Sequence, residues 1–175
     1  MKHLALAALF LSMTAGADEK APPPDPNIKK TVDALAGSWV MSGVFTLPDG
    51  KKVDVKGETF DCKRVAGGTA VSCTDKLNIP GMGISDGIAL IAWDGEIKKV
   101  HVVGADSLGL FHDHTCVWKD DKTLTCDPLE SSVGGNAATV DFTATFSDAK
   151  NVSMTETFTM KDGSKWGYDG KGKRK

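Results

Sequence analysis

From residue 38 onward, apolar and polar side chains alternate with a period of two, and clusters of glycine, proline and aspartate interrupt the alternation at short intervals. Val140, Phe142, Ala144 and Phe146 fall on one side of such a segment, with Thr139, Asp141, Thr143 and Thr145 on the other. The next segment repeats the pattern: Val152, Met154, Phe158 and Met160 oppose Ser153, Thr155, Thr157 and Thr159. A strand with one face buried and one face wet has this period. Strands are therefore predicted at about residues 38–47, 51–65, 69–79, 85–93, 96–103, 108–119, 123–129, 137–147, 151–161 and 165–170. They are punctuated by Pro48-Asp49-Gly50, Gly67-Gly68, Pro80-Gly81, Asp94-Gly95, Gly134-Gly135, Ser147-Asp148 and Asp162-Gly163. A helical period occurs once, at residues 28–36, where Ile28, Val32 and Leu35 share a face and Gly37 ends the run. About ten successive strands with short connections predict an all-β, antiparallel up-and-down barrel with a short N-terminal helix. Closure hides the apolar face and removes exposed edges.

The four cysteines agree with this reading. A turn centred on Gly67-Gly68 places Val65 opposite Ala70 and, further out, Cys62 opposite Cys73. A three-residue loop at Asp120-Asp121-Lys122 places Cys116 opposite Cys126. Directly opposed strand residues are close enough for a disulfide, so two cross-strand bridges are predicted.

The N-terminus places the chain in a compartment where such bridges persist. Residues 1–17 have a basic start, an apolar run at Leu4–Leu11 and the small-residue end Ala15-Gly16-Ala17, the pattern of a cleaved export signal. The apolar run is too short for a membrane anchor. Residues 18–27 are charged and proline-rich and read as a tether, which leaves residues 28–175 as one domain. The expected location is the periplasm or the medium. A formal net charge of −2 gives no reason to expect a nucleic-acid partner, and the basic tail Lys171, Lys173, Arg174 and Lys175 reads as a solvated chain end.

Candidate chemistry is sparse. Glu156 is in phase with the apolar residues of its strand, so a carboxylate enters the interior, where it needs a partner, a proton or water. The hairpin register brings Arg64 and Asp75 toward the same side, and an internal cluster of Arg64 with Glu156 is expected. His112, His114, Cys116 and Trp118 share a face with Leu110, Leu124 and Cys126. Two histidines and two cysteines suggest zinc, but the registered cysteine pair argues for a disulfide, so no metal is expected. The histidines then line the barrel mouth or interior, or lie at the surface. Motifs for a nucleophile elbow, a phosphate loop or a zinc protease are missing from the sequence.

Gly37-Ser38-Trp39, following a short helix at the start of the first strand, resembles the G-x-W signature of the calycins, which include lipocalins and fatty-acid-binding proteins. In order and spacing, further motifs are similar to those of a bacterial exported family known as domain of unknown function 1579. They are Leu35-Ala36-Gly37-Ser38-Trp39, Cys62 to Cys73, residues 87–94, Asp106-Ser107-Leu108-Gly109 and Asp162-Gly163-Ser164-Lys165-Trp166. The resemblance implies a lipocalin-like barrel in which Gly37 and Trp39 form the base, with a basic side chain such as Arg174 over the Trp39 ring. It implies no reaction. Nitrobindin-type haem barrels begin similarly, but their proximal histidine lies toward the C-terminus, and this chain has no histidine after His114. No cofactor is expected.

These readings converge on an exported, non-enzymatic barrel holding a small, mainly apolar ligand. Phe142, Phe146, Met154 and Phe158 would line the site with Met160, Arg64 or Glu156 would orient a polar end, and His112 and His114 would stand near the mouth. The alternatives are an interaction module working through loops such as residues 78–86, with Met82 and Ile84, and an enzyme with a mouth site at His112 and His114.

Overall fold

The computed structural model describes residues 25–81, 83–133 and 136–175. The expected signal at residues 1–17, most of the tether, Met82 and the Gly134-Gly135 turn lie outside the described residues. Helix α1 (Pro26–Leu35) begins two residues earlier than its apolar period indicates. Asp25 caps it by accepting a hydrogen bond from the Asn27 backbone N–H at 2.8 Å, and Pro26 fits the first turn, where no intrahelical N–H is needed.

Eleven strands follow: β1 (Gly37–Thr46), β2 (Lys52–Val65), β3 (Ala70–Ile79), β4 (Gly83–Asp94), β5 (Lys99–Asp106), β6 (Phe111–Trp118), β7 (Thr123–Cys126), β8 (Leu129–Val133), β9 (Asn136–Asp148), β10 (Asn151–Met160) and β11 (Lys165–Arg174). Each pairs antiparallel with its neighbour, and β1 pairs with β11 while β9 pairs with β10, so the sheet closes. Strands β7 and β8 occupy one position. β7 pairs with Thr143–Thr145 of β9, and β8 continues along the same edge from Val140 to Asn136. The barrel thus has ten strand positions. The predicted strand at residues 123–129 is interrupted at Asp127-Pro128 because proline has no N–H to give a ladder.

Both disulfides form in the predicted register, Cys62–Cys73 across β2 and β3 and Cys116–Cys126 across β6 and β7. They lie in one apolar cluster with Val32, Val71, Ile91, Val100 and Leu124, against which Ile28 and Leu35 of α1 pack. The helix therefore covers the cross-linked end. There Trp39 Nε1 donates to the Leu35 carbonyl at 2.9 Å, and Trp118 Nε1 donates to Thr31 Oγ1 at 3.1 Å. The Arg174 guanidinium stacks 4.5 Å from the Trp39 ring centre and donates to the Asp33 and Ala34 carbonyls at the negative end of the helix. The C-terminal residues are thus not a free tail. β11 runs four residues beyond its predicted end, Lys171 and Lys173 face outward, and the Lys175 N–H donates to the Ser38 carbonyl.

At the opposite end, Phe45, Phe158 and Trp166 pack together, with the Phe158 and Trp166 rings stacked at 4.0 Å. No helix among the described residues is long and apolar enough to cross a membrane.

Candidate functional site

Between these two packed ends the barrel encloses a cavity of about 230 Å³. Small residues leave the room. Gly87 and Gly104 stand on the adjacent strands β4 and β5, and an added Cβ at Gly87 would lie 2.2 Å from Asp75 Oδ1. On β11, a Cβ at Gly170 would strike the Tyr168 hydroxyl, so glycine lets the phenol lie flat along its own strand. Phe142, Phe146, Met154, Glu156 and Phe158 all line the cavity, as do His112 and His114. Met160 packs against the surrounding core instead. The lining includes Leu108 of the β5–β6 connection, which is exposed, so the cavity reaches solvent beside that loop.

The structure corrects the placement of Arg64. It lies outside the lumen at the helix-covered end, where its guanidinium donates to Asp33 Oδ1 at 2.8 Å, and it does not meet Glu156. The reason is local: α1 crosses this end of the sheet and presents a carboxylate nearer than the interior one. Glu156 instead shares the lumen with Glu58, Asp75 and Asp106.

Asp75 shares the row of Phe60, Gly87 and Asp106, and Glu156 lies between Phe142 and Tyr168 on its neighbouring strands. Glu58 is 5% exposed. Burial raises its carboxyl to about 7, and the Asp75 charge adds to the rise. Burial raises Asp75 to about 6, aided by the charges of Asp106 and Asp86. Glu156 reaches about 7 through burial together with the charges of Asp106, Glu58 and Asp75. The accessible part of Glu156 faces the lumen, which is why it is half-buried by area and still strongly desolvated. Burial holds His112 and His114 below the usual imidazole range, and the neighbouring His112 lowers His114 further. The two rings stack at 5.6 Å. Burial raises the Tyr168 phenol, and the Glu58 charge adds to it. The Tyr168 phenol and the Glu58 carboxyl are close enough to act on each other, but Tyr168 Oη and Glu58 Oε2 make no hydrogen bond of ordinary geometry within the protein, and His114 Nδ1 makes none either.

Glu58, Asp106 and Tyr168 are the titratable lumen residues that the sequence does not announce. Gly57, at φ +74°, is a bulge that shifts the register between Met41 and Ser42 of the partner strand and turns Glu58 inward. A sequence signal existed: Val53 and Val55 have opposite parity to Phe60 and Cys62, which requires one extra residue between them, and Gly57 is suited to supply it. Asp106 reads as part of a turn. It is the last residue of β5, and its carboxylate accepts from the Leu108 and Leu110 N–H groups at 2.9 and 3.0 Å while bordering the cavity. No group of three or more histidine, cysteine or acidic side chains suited to a metal is assembled among the described residues.

No family model matches the sequence, and no curated protein matches it. Among solved structures, the S-type phycobiliprotein lyase from Guillardia theta superposes with a TM-score of 0.59 at 10% identity, over 85% of this chain and 92% of that one. The likeness is one of fold, a closed antiparallel β-barrel. A redesigned β-barrel also matches, with a TM-score of 0.43 and 13% identity over 83% of this chain and 96% of that one. The resemblance read from the sequence therefore holds at the level of the barrel, and no family model supports the narrower assignment to the exported family of unknown function.

Proposed function

We propose that this protein is a non-enzymatic barrel that holds a small, mainly apolar molecule in its lumen. The observation carrying this reading is the cavity of about 230 Å³ inside a closed barrel, apolar over most of its wall and furnished with buried polar atoms that no protein group satisfies. Binding sites combine these features, a greasy wall and a few convergent polar groups. The volume lies below the roughly 300–1,000 Å³ of sites for drug-sized ligands, which supports a small occupant. The phycobiliprotein lyase shares the fold and supports the reading to that extent. Two disulfides are consistent with export, and the signal-like residues 1–17 make the periplasm or the medium our proposed location. The motif order from Leu35 to Trp166 likewise keeps the exported family as our proposal for its relatives.

Native mass spectrometry of the protein exported through its own signal tests the reading. An adduct in the native spectrum that disappears on denaturation is expected. A clean native mass, with no uptake of added apolar probes, would remove the lumen as a binding site.

A second reading has its own observation. Ile88, Leu90, Val103 and Phe111 are exposed on the outer face of β4–β6, where Ile88 pairs with Ala105, Ala105 with Phe111, and Leu90 with Val103. Apolar surface of this kind suits an interaction module. A complex of two chains in the same native spectrum would favour it.

A further inference from the structure

The lumen wall carries Glu58, Asp75, Asp106 and Glu156, and no lysine or arginine lines it among the described residues. Composition does not explain this, because the chain has 21 lysines and arginines against 23 aspartates and glutamates. The two arginines nearest the base are occupied elsewhere, Arg64 with Asp33 and Arg174 with the carbonyls of α1.

This is not a wetted acidic patch. Glu58 is 5% exposed, His114 4% and Tyr168 7%; all three residues line the lumen, and each carries a buried atom with no hydrogen-bond partner in the protein: Glu58 Oε2, His114 Nδ1 and Tyr168 Oη. An orphaned acceptor at that depth is costly, and native proteins keep one where water or a ligand supplies the donor. The acidic groups also oppose one another. Glu156 feels the charges of Asp106, Glu58 and Asp75, which helps to raise its carboxyl. A bound donor that also carries positive charge would satisfy the orphaned acceptors and relieve the repulsion together. Since no metal-suited cluster is present among the described residues, an organic cation fits better than a metal ion. An ammonium group offers three donors and no acceptor.

We infer that the lumen selects an organic ammonium compound, with its charged head held by Glu58 and Glu156 and its apolar body against Phe142, Met154 and Phe158. This inference rests on the lumen being a ligand site. Asp75 and Asp106 set the field around the head group, while His112 and His114, neutral through burial, leave it uncontested.

Calorimetric titration of the mature chain at pH 8 with n-octylamine, n-octanol and octanoate tests this, because the three probes share one tail and differ in the head. The amine is expected to bind with one-to-one stoichiometry, about tenfold or more tighter than the alcohol, as one charge-assisted hydrogen bond provides. Octanoate should bind weakest. Equal affinity for alcohol and amine, or a preference for octanoate, overturns the cationic selectivity and leaves the lumen as a ligand site. Binding of none of the three overturns the lumen reading and this inference with it.

Glu58→Gln and Glu156→Gln locate the effect. Each should reduce the preference for amine over alcohol, and an undiminished preference in both variants overturns the assignment. At pH 5 the preference should shrink, because Glu58, Asp75 and Glu156 take up protons. The remaining titratable groups facing this space are Asp106 and Tyr168.

Discussion

The helix-covered end and the middle of the lumen are built from the same alternating strands, yet they treat charged groups in opposite ways. At the covered end, Arg64 meets Asp33, the Arg174 guanidinium meets two helix carbonyls, the indole N–H groups of Trp39 and Trp118 reach acceptors on α1, and two disulfides cross-link the wall, although Arg174 Nε and Trp93 Nε1 stay unpaired. Midway along the barrel, Glu58 Oε2, His114 Nδ1 and Tyr168 Oη have no hydrogen-bond partner in the protein, and four carboxylates share a space with no lysine or arginine in its wall among the described residues. A core built only for stability would have paired or replaced those groups. The covered end holds the barrel in shape, and under the proposed function the middle keeps groups for a ligand to complete.

Breaking the stable end should have the largest effect. Trp39→Ala removes a ring that packs edge-on to Phe146 at 6.1 Å and lies beneath Arg174. A loss of about 3–5 kcal/mol is expected in urea unfolding. A loss under 1 kcal/mol would show that the base does not clamp the barrel.

Next in size is removal of one disulfide. Cys62→Ala with Cys73→Ala frees a loop of 11 residues' separation and should cost about 3 kcal/mol. The same denaturation experiment, compared with the reduced wild type, reads this directly.

The middle of the barrel should respond to pH with the sign of a buried acid. The Glu58 carboxyl rises to about 7 in the folded chain from 4.5. Its contribution is therefore full below about pH 4.5 and is lost as pH rises through about 7. Glu156 behaves alike. His112 and His114 act in the other direction, since an imidazole kept neutral by burial costs stability as pH falls below 6.5. The clean measurement is therefore a difference. Glu58→Gln should gain on the wild type as pH rises from 4.5 to 8, by on the order of 2 kcal/mol. A difference that is flat with pH would place Glu58 in ordinary solvent.

The smallest effect belongs to the ion pair outside the lumen. Arg64→Ala breaks the bridge to Asp33, in which the side chains are 51% and 42% exposed. It should change stability by less than about 1 kcal/mol and leave probe binding unchanged. A large loss of binding would return Arg64 to the site.

Much of the architecture was legible because each short-range signal had one tertiary solution. The Gly67-Gly68 turn and the Asp120-Asp121-Lys122 loop fixed two hairpin registers, and with them both cysteine pairs. The phase of Glu156 with Met154 and Phe158 correctly placed a carboxylate among apolar side chains. The partners of that carboxylate were not legible. Glu58 comes inward through a bulge almost a hundred residues away, and Asp106 is drawn to the cavity edge by the N–H groups of its own loop. Arg64 was assigned inward from strand parity, but near the end of β2 the competing partner is Asp33 on α1, which no strand periodicity reveals.

The sequence by itself determined the periodic faces, the turns, the single helix and the disulfide register, since these depend on interactions between near neighbours or across one hairpin. Tertiary structure decided which charges share the lumen. Barrel closure brings β2, β3, β5 and β10 around one space, and whether a carboxylate there meets an arginine, another carboxylate or a void depends on strand stagger and on where α1 lies.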